Sequence, residues 1–588
     1  MNSAQTLALA VQQHQTGNLR EAEQLYRQIL NAEPDHADAL NLLGVLAHQV
    51  GQSDTAIELI RSVLRFRPGF AEAHGNLGAV LRALGRMDEA AANYERALAL
   101  KPDYPEAHHN LGRLRQAQGK LDEAAAHFRH ALHLRPTYAE AHHQLGTILQ
   151  MQGQLAEAIT CFEQAITLKP NFAEAHNNLG SVLGMQGKLD QAVASCERAI
   201  LLDPNHVEAH NNLGTARLEQ GKLDEAAASF RQALLLRPDF AEAHGNLGSV
   251  LKAQGRQHEA LRSFEDALRI KPDFADAHMN RSLLWLLQAD FERGWQEYEW
   301  RWNETTCPRR HVDRPAWNGE PLAGRTILLH FEQGLGDTLQ FIRYAPLVKS
   351  AGAGNVLLEC QVPLKRLLTG CRGVDRIYVF GEPLPHFDVQ APLLRLPRLL
   401  GTTSLERIPG GVPYLSVPDD LVLHWRKRLE SVKGFRIGIA WQGSPTHKAD
   451  RRRSVPLPLF APISRVTGMR LISLQMGPGS EQCSALPGLL DLTGAIADFA
   501  DTAALLKNLD LVITVDTSVA HLAGALGVPA WVALPFDPDW RWLLGREDSP
   551  WYPSLRLFRQ SRPADWDGVF ERMAAALSSA KPQAKVNY

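Results

Sequence analysis

Small and large apolar residues recur through the first half of the chain with a period of 34 residues. The segment Ala71–Tyr104 shows the unit: two apolar runs separated by Gly85. Similar segments open at Pro105, Ala139, Ala173, Val207 and Ala241. The pattern predicts antiparallel helix pairs that stack into an α-solenoid, because no single pair can bury its apolar face alone.

Glycine, alanine and proline each occupy fixed phases of this period. Glycines such as Gly78 let the two helices approach closely, and Leu77 and Tyr94 fill the space between them. Gly85 is expected to end the first helix with a positive φ. Pro102 ends the second helix and turns the chain into the next unit.

These units resemble the tetratricopeptide repeat and cover about half of the chain. The predicted solenoid spans residues 1–302, with eight full repeats from Ser3 to Phe274. A ninth, degenerate repeat begins at Ala275 and has Arg281 in place of the core leucine. Its second helix carries Trp295, Trp300 and Trp302 and is expected to dock the solenoid onto the next domain.

An amide side chain recurs on the first helix of each unit, which lines the concave surface in this architecture. The series is Asn76, Asn110, Gln144, Asn178, Asn212, Asn246 and Asn280. Each carboxamide offers a donor and an acceptor, so the row is predicted to bind the backbone of an extended peptide. The repeats resemble those of protein O-GlcNAc transferases, where such an asparagine ladder holds the acceptor polypeptide. The alternative is that the amides bond neighbouring helices.

Histidine occupies another phase of the repeat: His74, His108, His142, His176, His210, His244 and His278. Adjacent helices pack about 8–10 Å apart, whereas zinc ligands converge to about 2 Å from one ion. We therefore expect these rings to fill a slot that is often aromatic, without binding metal.

The second half of the chain alternates strands and helices. Residues 303–324 are polar and rich in turn residues, and we interpret them as a linker. The predicted strands are Arg325–Phe331, Asn355–Gln361, Asp375–Phe380, Arg436–Trp441, Arg470–Gln475, Leu511–Val515 and Ala530–Leu534. This order predicts two doubly wound α/β domains, residues 325–418 and 419–580, followed by a tail at 581–588. Ligands are expected in the cleft between the carboxyl ends of their strands.

Two motifs fall at carboxyl ends of predicted strands. The first, GLGD, contains Gly334, Gly336 and Asp337, and would direct the aspartate from a helix start into the cleft. An ordinary turn glycine and a helix N-terminal aspartate are the alternative.

The second motif is Val515–Ala525 (VDTSVAHLAGA). A strand ends at Asp516 and a helix opens at Thr517 or Ser518, where free N–H groups and the helix dipole favour a phosphate. His521 would reach the same anion. The alternative is an ordinary helix capped by Asp516 or Thr517.

The stretch LDLVITVDTSVAHLAGALGVPAWVAL resembles the signature of heptosyltransferase-type glycosyltransferases of family 9, which have the GT-B fold of two Rossmann-like halves. The resemblance covers roughly residues 325–580. It implies that Asp337 is the catalytic base. It also implies that Lys448 binds a nucleotide diphosphate, together with the residues of the two motifs. Pro346 follows Asp337 at a different spacing from the family proline, so the acceptor side is expected to differ.

Together the halves predict an inverting glycosyltransferase that moves a sugar from a nucleotide diphosphate sugar to Ser or Thr of a polypeptide held by the repeats. Bacterial glycosyltransferases of this general build include enzymes that modify flagellin. Flagellin or another surface protein is therefore a candidate acceptor. No metal or other cofactor is expected, although Asp537–Asp539 superficially resembles a metal-binding DxD motif. Two alternatives remain: a glycan or lipid acceptor of lipopolysaccharide type, and a non-catalytic repeat scaffold.

Composition narrows the class of protein. Lys plus Arg is 62 and Asp plus Glu is 64, which argues against a dedicated nucleic-acid binder. No apolar stretch reaches the roughly 18 residues of a membrane helix. The six cysteines form no C-x-x-C pair and favour a reducing cytoplasm. All twelve tryptophans lie at or after Trp285, which marks the change between the halves.

Overall fold

The structure, a computed structural model, describes residues 2–303, 309–446 and 450–579. The chain divides into two compact units, residues 1–238 and residues 239–588. Each is described by itself below.

The first unit consists of helical hairpins, which confirms the predicted repeat solenoid. Its helices are α1 Ser3–Gln15, α2 Leu19–Ala32, α3 Ala37–Gln49, α4 Ser53–Phe66, α5 Ala71–Ala83, α6 Met87–Leu100, α7 Pro105–Ala117, α8 Leu121–Leu134, α9 Ala139–Met151, α10 Leu155–Leu168, α11 Ala173–Met185, α12 Leu189–Leu202, α13 Val207–Glu219 and α14 Leu223–Leu236. Within a hairpin, a Cβ at Gly78 would lie 2.8 Å from the Tyr94 ring. Gly85, in the turn that follows α5, has the expected positive φ of 75°.

The recurring histidines have a role beyond filling a slot. The ring Nε2 lies 2.9–3.1 Å from the carbonyl oxygen of the proline six residues earlier in His74, His108, His142, His176, His210 and His278. His142 and Pro136, for example, are 2.9 Å apart. The imidazole N–H therefore satisfies a carbonyl in the turn between repeats, which explains why histidine recurs where another aromatic residue would fill the same volume.

The second unit opens with two further hairpins, and their last part carries the tryptophans. The helices are α15 Ala241–Ala253, α16 Gln257–Ile270, α17 Ala275–Leu287 and α18 Phe291–Glu297. The Trp295 ring centre lies 5.1 Å from that of Trp540 and 6.3 Å from that of Phe341. The indole N–H of Trp302 donates to Glu332 at 2.6 Å. This aromatic segment thus packs onto the α/β part of the unit.

Two parallel sheets follow. The strands of the first are β1 Thr326–His330, β2 Asn355–Cys360, β3 Arg376–Val379 and β4 Val389–Pro392, in the order β3-β2-β1-β4. The strands of the second are β5 Phe435–Ala440, β6 Met469–Ser473, β7 Leu490–Asp491, β8 Leu511–Val515, β9 Ala530–Leu534 and β10 Leu555–Arg559, in the order β10-β9-β8-β5-β6-β7. Every predicted strand is present, and β4, β7 and β10 are additions. Buried apolar side chains of the second sheet, such as Ile437 and Ile513, form a core with α28.

The helices of this α/β part are shorter than those of the repeats. They are α19 Leu335–Phe341, α20 Ala345–Ser350, α21 Lys365–Leu368, α22 Leu396–Leu399, α23 Asp419–Arg428, α24 Asp450–Arg453, α25 Ala461–Ser464, α26 Phe499–Leu506, α27 Ser518–Leu526 and α28 Trp566–Ser579. After GLGD the chain forms α19, a 3₁₀ turn and α20 rather than one continuous helix. Within the sequence interpreted as a linker, Trp317 is buried, and its backbone N–H donates to the carbonyl of Gln390 on β4 at 2.8 Å.

Candidate active site

Asp337 lies in the first turn of α19, just beyond the carboxyl end of β1. Its Oδ2 accepts the backbone N–H of Gly334 at 2.9 Å, so the carboxylate caps its own helix. Its Oδ1 accepts from Nη2 of Arg541 at 2.5 Å. The aspartate predicted as base is therefore held by two contacts, one local and one from the other sheet.

Arg541 follows β9 and joins the ends of the two sheets. Its Nε donates to Oε1 of Gln340 at 2.7 Å, and its Nη1 donates to Asp539 at 2.9 Å. The guanidinium lies 4.4 Å from the centre of the Trp540 ring. With its side chain 9% exposed, Arg541 is a buried cation between Asp337 and Asp539.

Sequence analysis missed Arg541. The available signal was an arginine two residues after Asp539 in the stretch DPDWRW. The two aspartates of that stretch drew attention only as a superficial metal motif.

The charges around Arg541 shift the pKa of each neighbouring group. Burial raises the pKa of Asp337, and the Arg541 guanidinium opposes that rise. For Asp539 burial acts in the same direction, but the bonds from Arg541 hold its pKa below the ordinary value. Burial and the charge of Asp539 raise the pKa of Asp516, at the end of β8. The Arg541 guanidinium thus opposes the effect of burial on the pKa of each acidic group around it.

The N-terminus of α27 faces this region from the second sheet. Thr517 is the N-cap, and its hydroxyl oxygen accepts the N–H of Val519 at 3.3 Å. Its hydroxyl also lies 3.0 Å from that of Thr514. Ser518, the first helical residue, is partly exposed. The capping alternative therefore describes Thr517, and Ser518 is the more accessible hydroxyl at this helix start.

His521 is buried one turn into α27. Its Nδ1 lies 2.9 Å from the hydroxyl oxygen of Tyr552, and its ring centre lies 5.5 Å from that of Trp542. Burial and the nearby Arg541 lower the pKa of His521 to about 3, so the imidazole is neutral at physiological pH. It can offer a hydrogen bond to an anion, but no charge.

Gly336 permits the close approach of α19 to α27. A Cβ at this position would lie 2.7 Å from Cδ2 of His521. Any larger residue would push the GLGD helix start away from His521. A glycine at position 336 is therefore required by the close packing against His521, which the GLGD motif alone did not show.

The basic run Lys448–Arg453 (KADRRR), which contains the lysine expected to bind the diphosphate, is described only from Asp450 onward. Lys448 lies outside the described residues. Arg453 lies 3.5 Å from Asp450, and Arg452 lies 3.9 Å from Asp537. Asp537 also pairs with Lys252 of α15 at 3.3 Å.

The two aspartates of the DPD stretch are therefore each bonded to cations. Across residues 2–303, 309–446 and 450–579, no three His, Cys, Asp or Glu side chains form a group that could hold a metal ion.

Several of the recurring amides bond protein groups. Nδ2 of Asn76 donates to Oδ1 of Asn41 at 3.1 Å, and Nδ2 of Asn212 donates to Oδ1 of Asn177 at 2.9 Å. Asn178 Nδ2 lies 3.0 Å from Nε2 of His143, and Asn280 donates to the carbonyl of Asp276 at 2.9 Å. Asn110, Gln144 and Asn246 are partly buried. At Asn76, Asn178 and Asn212 the amide links consecutive repeats, which is the contact that the alternative interpretation describes.

Comparison with known families identifies repeats along the first half. A family model described as TPR repeat matches residues 78–119, 112–153 and 151–187. Models described as tetratricopeptide repeat match residues 7–71, 211–273 and 246–298, and residues 171–239. The chain therefore carries tetratricopeptide repeats, as its period predicts.

A curated relative extends the comparison. Protein FlbA of Caulobacter vibrioides is 28% identical over 328 residues, which cover 50% of this chain and 54% of that protein. The match thus spans about half the length of the relative.

Two solved structures are similar to parts of this chain. The APC/C hetero-tetramer Cut9-Hcn1 is 18% identical with a TM-score of 0.39, covering 45% of this chain and 52% of that one. YrrB, described as a TPR protein with an unusual peptide-binding site, is 24% identical with a TM-score of 0.29, covering 31% of this chain and 95% of that one.

In the described part of the chain, no helix has the length and apolar character needed to cross a bilayer.

Proposed function

We propose that the second unit is a glycosyltransferase with a GT-B arrangement, which uses a nucleotide diphosphate sugar as donor and a polypeptide hydroxyl as acceptor. The observation that carries this proposal is the convergence of Asp337 and Arg541 from the carboxyl ends of two parallel sheets. In α/β proteins, such ends are where ligands bind. The proposal needs no metal, since cations and helix N–H groups supply the positive charge.

In the proposed reaction, Asp337 takes the proton of the acceptor Ser or Thr hydroxyl as general base. The hydroxyl oxygen attacks the anomeric carbon as the bond from that carbon to the diphosphate oxygen breaks. The configuration inverts in this single displacement. Arg541 matters here because a base must be ionised, and burial alone would favour the protonated acid.

The leaving diphosphate carries the charge that must be stabilised. We propose that backbone N–H groups at the start of α27, the Ser518 hydroxyl and Lys448 receive it. Gly334 and Gly336 let the chain pass close to the donor, and Asp516 and Thr517 shape the start of α27. The neutral His521 adds a hydrogen-bond donor from within the helix.

The repeats are proposed to present the acceptor. The amide series would contact the backbone of an extended polypeptide where its donors and acceptors are not used between repeats. Flagellin or another surface protein remains the proposed acceptor, and we place the reaction in the cytoplasm.

The test measures nucleotide released from UDP-, GDP-, CMP-, dTDP- and ADP-sugars, with and without candidate acceptor proteins. Asp337→Asn keeps the shape of the side chain but removes the base, so turnover is expected to fall by at least about 100-fold. Asp548→Asn is the matched control, because Asp548 is exposed and pairs with Arg546. Unchanged turnover in Asp337→Asn would exclude the assigned base.

A non-catalytic scaffold is the second candidate, and one observation favours it. Each carboxylate oxygen of Asp337 already accepts a hydrogen bond, from Gly334 and from Arg541. Such a residue can be purely structural. Calorimetric titration with the same nucleotide sugars separates the two candidates, since a scaffold is expected to bind none of them.

A further inference from the structure

A cavity of about 660 Å³ lies in the second unit, at the carboxyl ends of β1 and β4. His330 from β1 and Gln390 from β4 line it, together with Trp302. In this parallel sheet, β2 and β3 lie on one side of β1 and β4 lies on the other, so the strand order β3-β2-β1-β4 has its switch point between β1 and β4. Such a switch point in a parallel sheet opens a crevice where ligands bind, and the volume is that of an ordinary ligand site.

The carboxylates of the cavity wall are already neutralised. Glu332 accepts from Arg301 at 3.1 Å and from the Trp302 indole at 2.6 Å. Glu299 lies 3.0 Å from Arg395. These acidic groups therefore leave no net negative charge for a cationic ligand.

Two other arginines of the wall, Arg309 and Arg314, have no buried carboxylate partner among the residues that the structure describes. The guanidinium of Arg309 lies 5.0 Å from the centre of the Trp302 ring. Arg314 lies 3.9 Å from the exposed Asp313 and 5.7 Å from the centre of the Phe387 ring. Among the described residues, neither guanidinium hydrogen-bonds a carboxylate. Guanidinium groups held against aromatic rings with unused N–H donors bind carboxylates well.

The cavity and Asp337 share one loop. Glu332, in the wall, is five residues before Asp337 in the chain and follows the same strand. The N-terminus of α27, proposed to hold the diphosphate, belongs instead to the other sheet. The cavity therefore lies on the acceptor side of the proposed reaction.

We propose that this cavity binds an acidic side chain of the acceptor polypeptide, close to the hydroxyl that is modified. The inference rests on the proposed function for the identity of the ligand. Arg309 and Arg314 receive the carboxylate. Acceptors with Asp or Glu near the target Ser or Thr are thereby preferred over neutral ones.

The experiment measures binding of fluorescein-labelled peptides to the full chain by anisotropy, without any nucleotide sugar. Two peptides differ only in carrying Glu or Gln beside a central Ser. We expect the Glu peptide to bind about tenfold more tightly, and the difference to shrink as salt is added. Equal binding of the two peptides would overturn the proposal.

Variants locate the effect. Arg309→Glu/Arg314→Glu is expected to abolish the preference for Glu, and Arg309→Gln/Arg314→Gln to reduce it. Arg376→Glu, exposed at the start of β3, is the control and should keep the preference. A preference that survives both double variants would exclude the cavity as its source. The anisotropy assay measures peptide binding and needs no turnover. Absence of glycosyl transfer would therefore refute the proposed function without affecting the test of the cavity.

Discussion

The two units differ in how deeply their ion pairs are buried. In the first unit, ion pairs recur at the surface: Lys101 with Glu72 at 2.8 Å and Lys169 with Glu140 at 3.1 Å, all side chains over 40% exposed. In the second, Arg541 is 9% exposed and bonds Asp337 and Asp539. Exposed pairs contribute about 0–1 kcal/mol, whereas removing one partner of a buried pair costs about 3–5 kcal/mol.

The difference shows where each unit concentrates its stability. Equivalent contacts recur in every repeat, so the stability of the solenoid does not depend on any single surface ion pair. In the α/β part, charged side chains cluster around Arg541. Burying these charges costs desolvation free energy, but buried charged groups are also those that can take part in catalysis. Stability and proposed activity should therefore depend together on Arg541, and on no single charge of the first unit.

The largest expected effect comes from removing that cation. Arg541→Met fills much of the same volume but leaves Asp337 and Asp539 without their shared partner, at an expected cost of about 3–5 kcal/mol. Tryptophan fluorescence during urea unfolding measures it, because all twelve tryptophans belong to the second unit. Arg546→Met, which breaks a pair between this partly exposed arginine and the exposed Asp548, should cost under about 1 kcal/mol. Equal midpoints for the two variants would mean that the buried Arg541 contributes no more to stability than an arginine in an ordinary surface pair.

The repeat fold could be predicted from sequence because its signals are local and repeated. The period placed the hairpins, and the positive φ of Gly85 followed from its place in the turn. Four strands of the second sheet, β5, β6, β8 and β9, were equally visible as short apolar runs, whereas β7 and β10 were missed. Strand β4 was missed because Val389–Pro392 is only four residues long and ends in proline.

The candidate site was predictable only in part. Asp337, Ser518 and His521 stand in motifs that can be recognised in one dimension. Arg541 does not, since its partner Asp337 lies 204 positions earlier in the chain. The low pKa of His521 depends on burial and on that same arginine, which no local pattern reveals.

A smaller effect tests how tightly a single hairpin is packed. A Cβ at Gly146 would lie 2.8 Å from the buried Phe162 ring, so Gly146→Ala is expected to destabilise by about 1–3 kcal/mol. At Gly184 the nearest atom is the Ala192 Cβ at 3.9 Å, so Gly184→Ala should stabilise by about 0.5–1 kcal/mol. Circular dichroism during urea unfolding reads both. The same sign for both substitutions would show that close helix approach does not explain the glycine phase.

The smallest expected effect concerns the imidazoles of the first unit. Nδ1 of His108 and Nδ1 of His127 are 3.1 Å apart, with His130, Arg115 and Glu123 nearby. Burial, followed by the charges of His108 and Arg115, lowers the pKa of His127 from 6.5 to about 4. The unfolded chain thus binds more protons between these values, and stability must fall as the pH drops from 6.5 towards 4.

The preceding repeat supplies the variant for this test, because Asn93 occupies the position equivalent to His127 and contacts His74. His127→Asn should recover roughly 1 kcal/mol at pH 5, relative to its effect at pH 8, after allowance for solvent screening. Urea midpoints from circular dichroism at the two pH values measure this difference. His133→Asn, at an exposed position, should leave the pH dependence unchanged. An equal response of both variants would mean that general surface charge, rather than the buried imidazole pair, sets the acid sensitivity of the repeats.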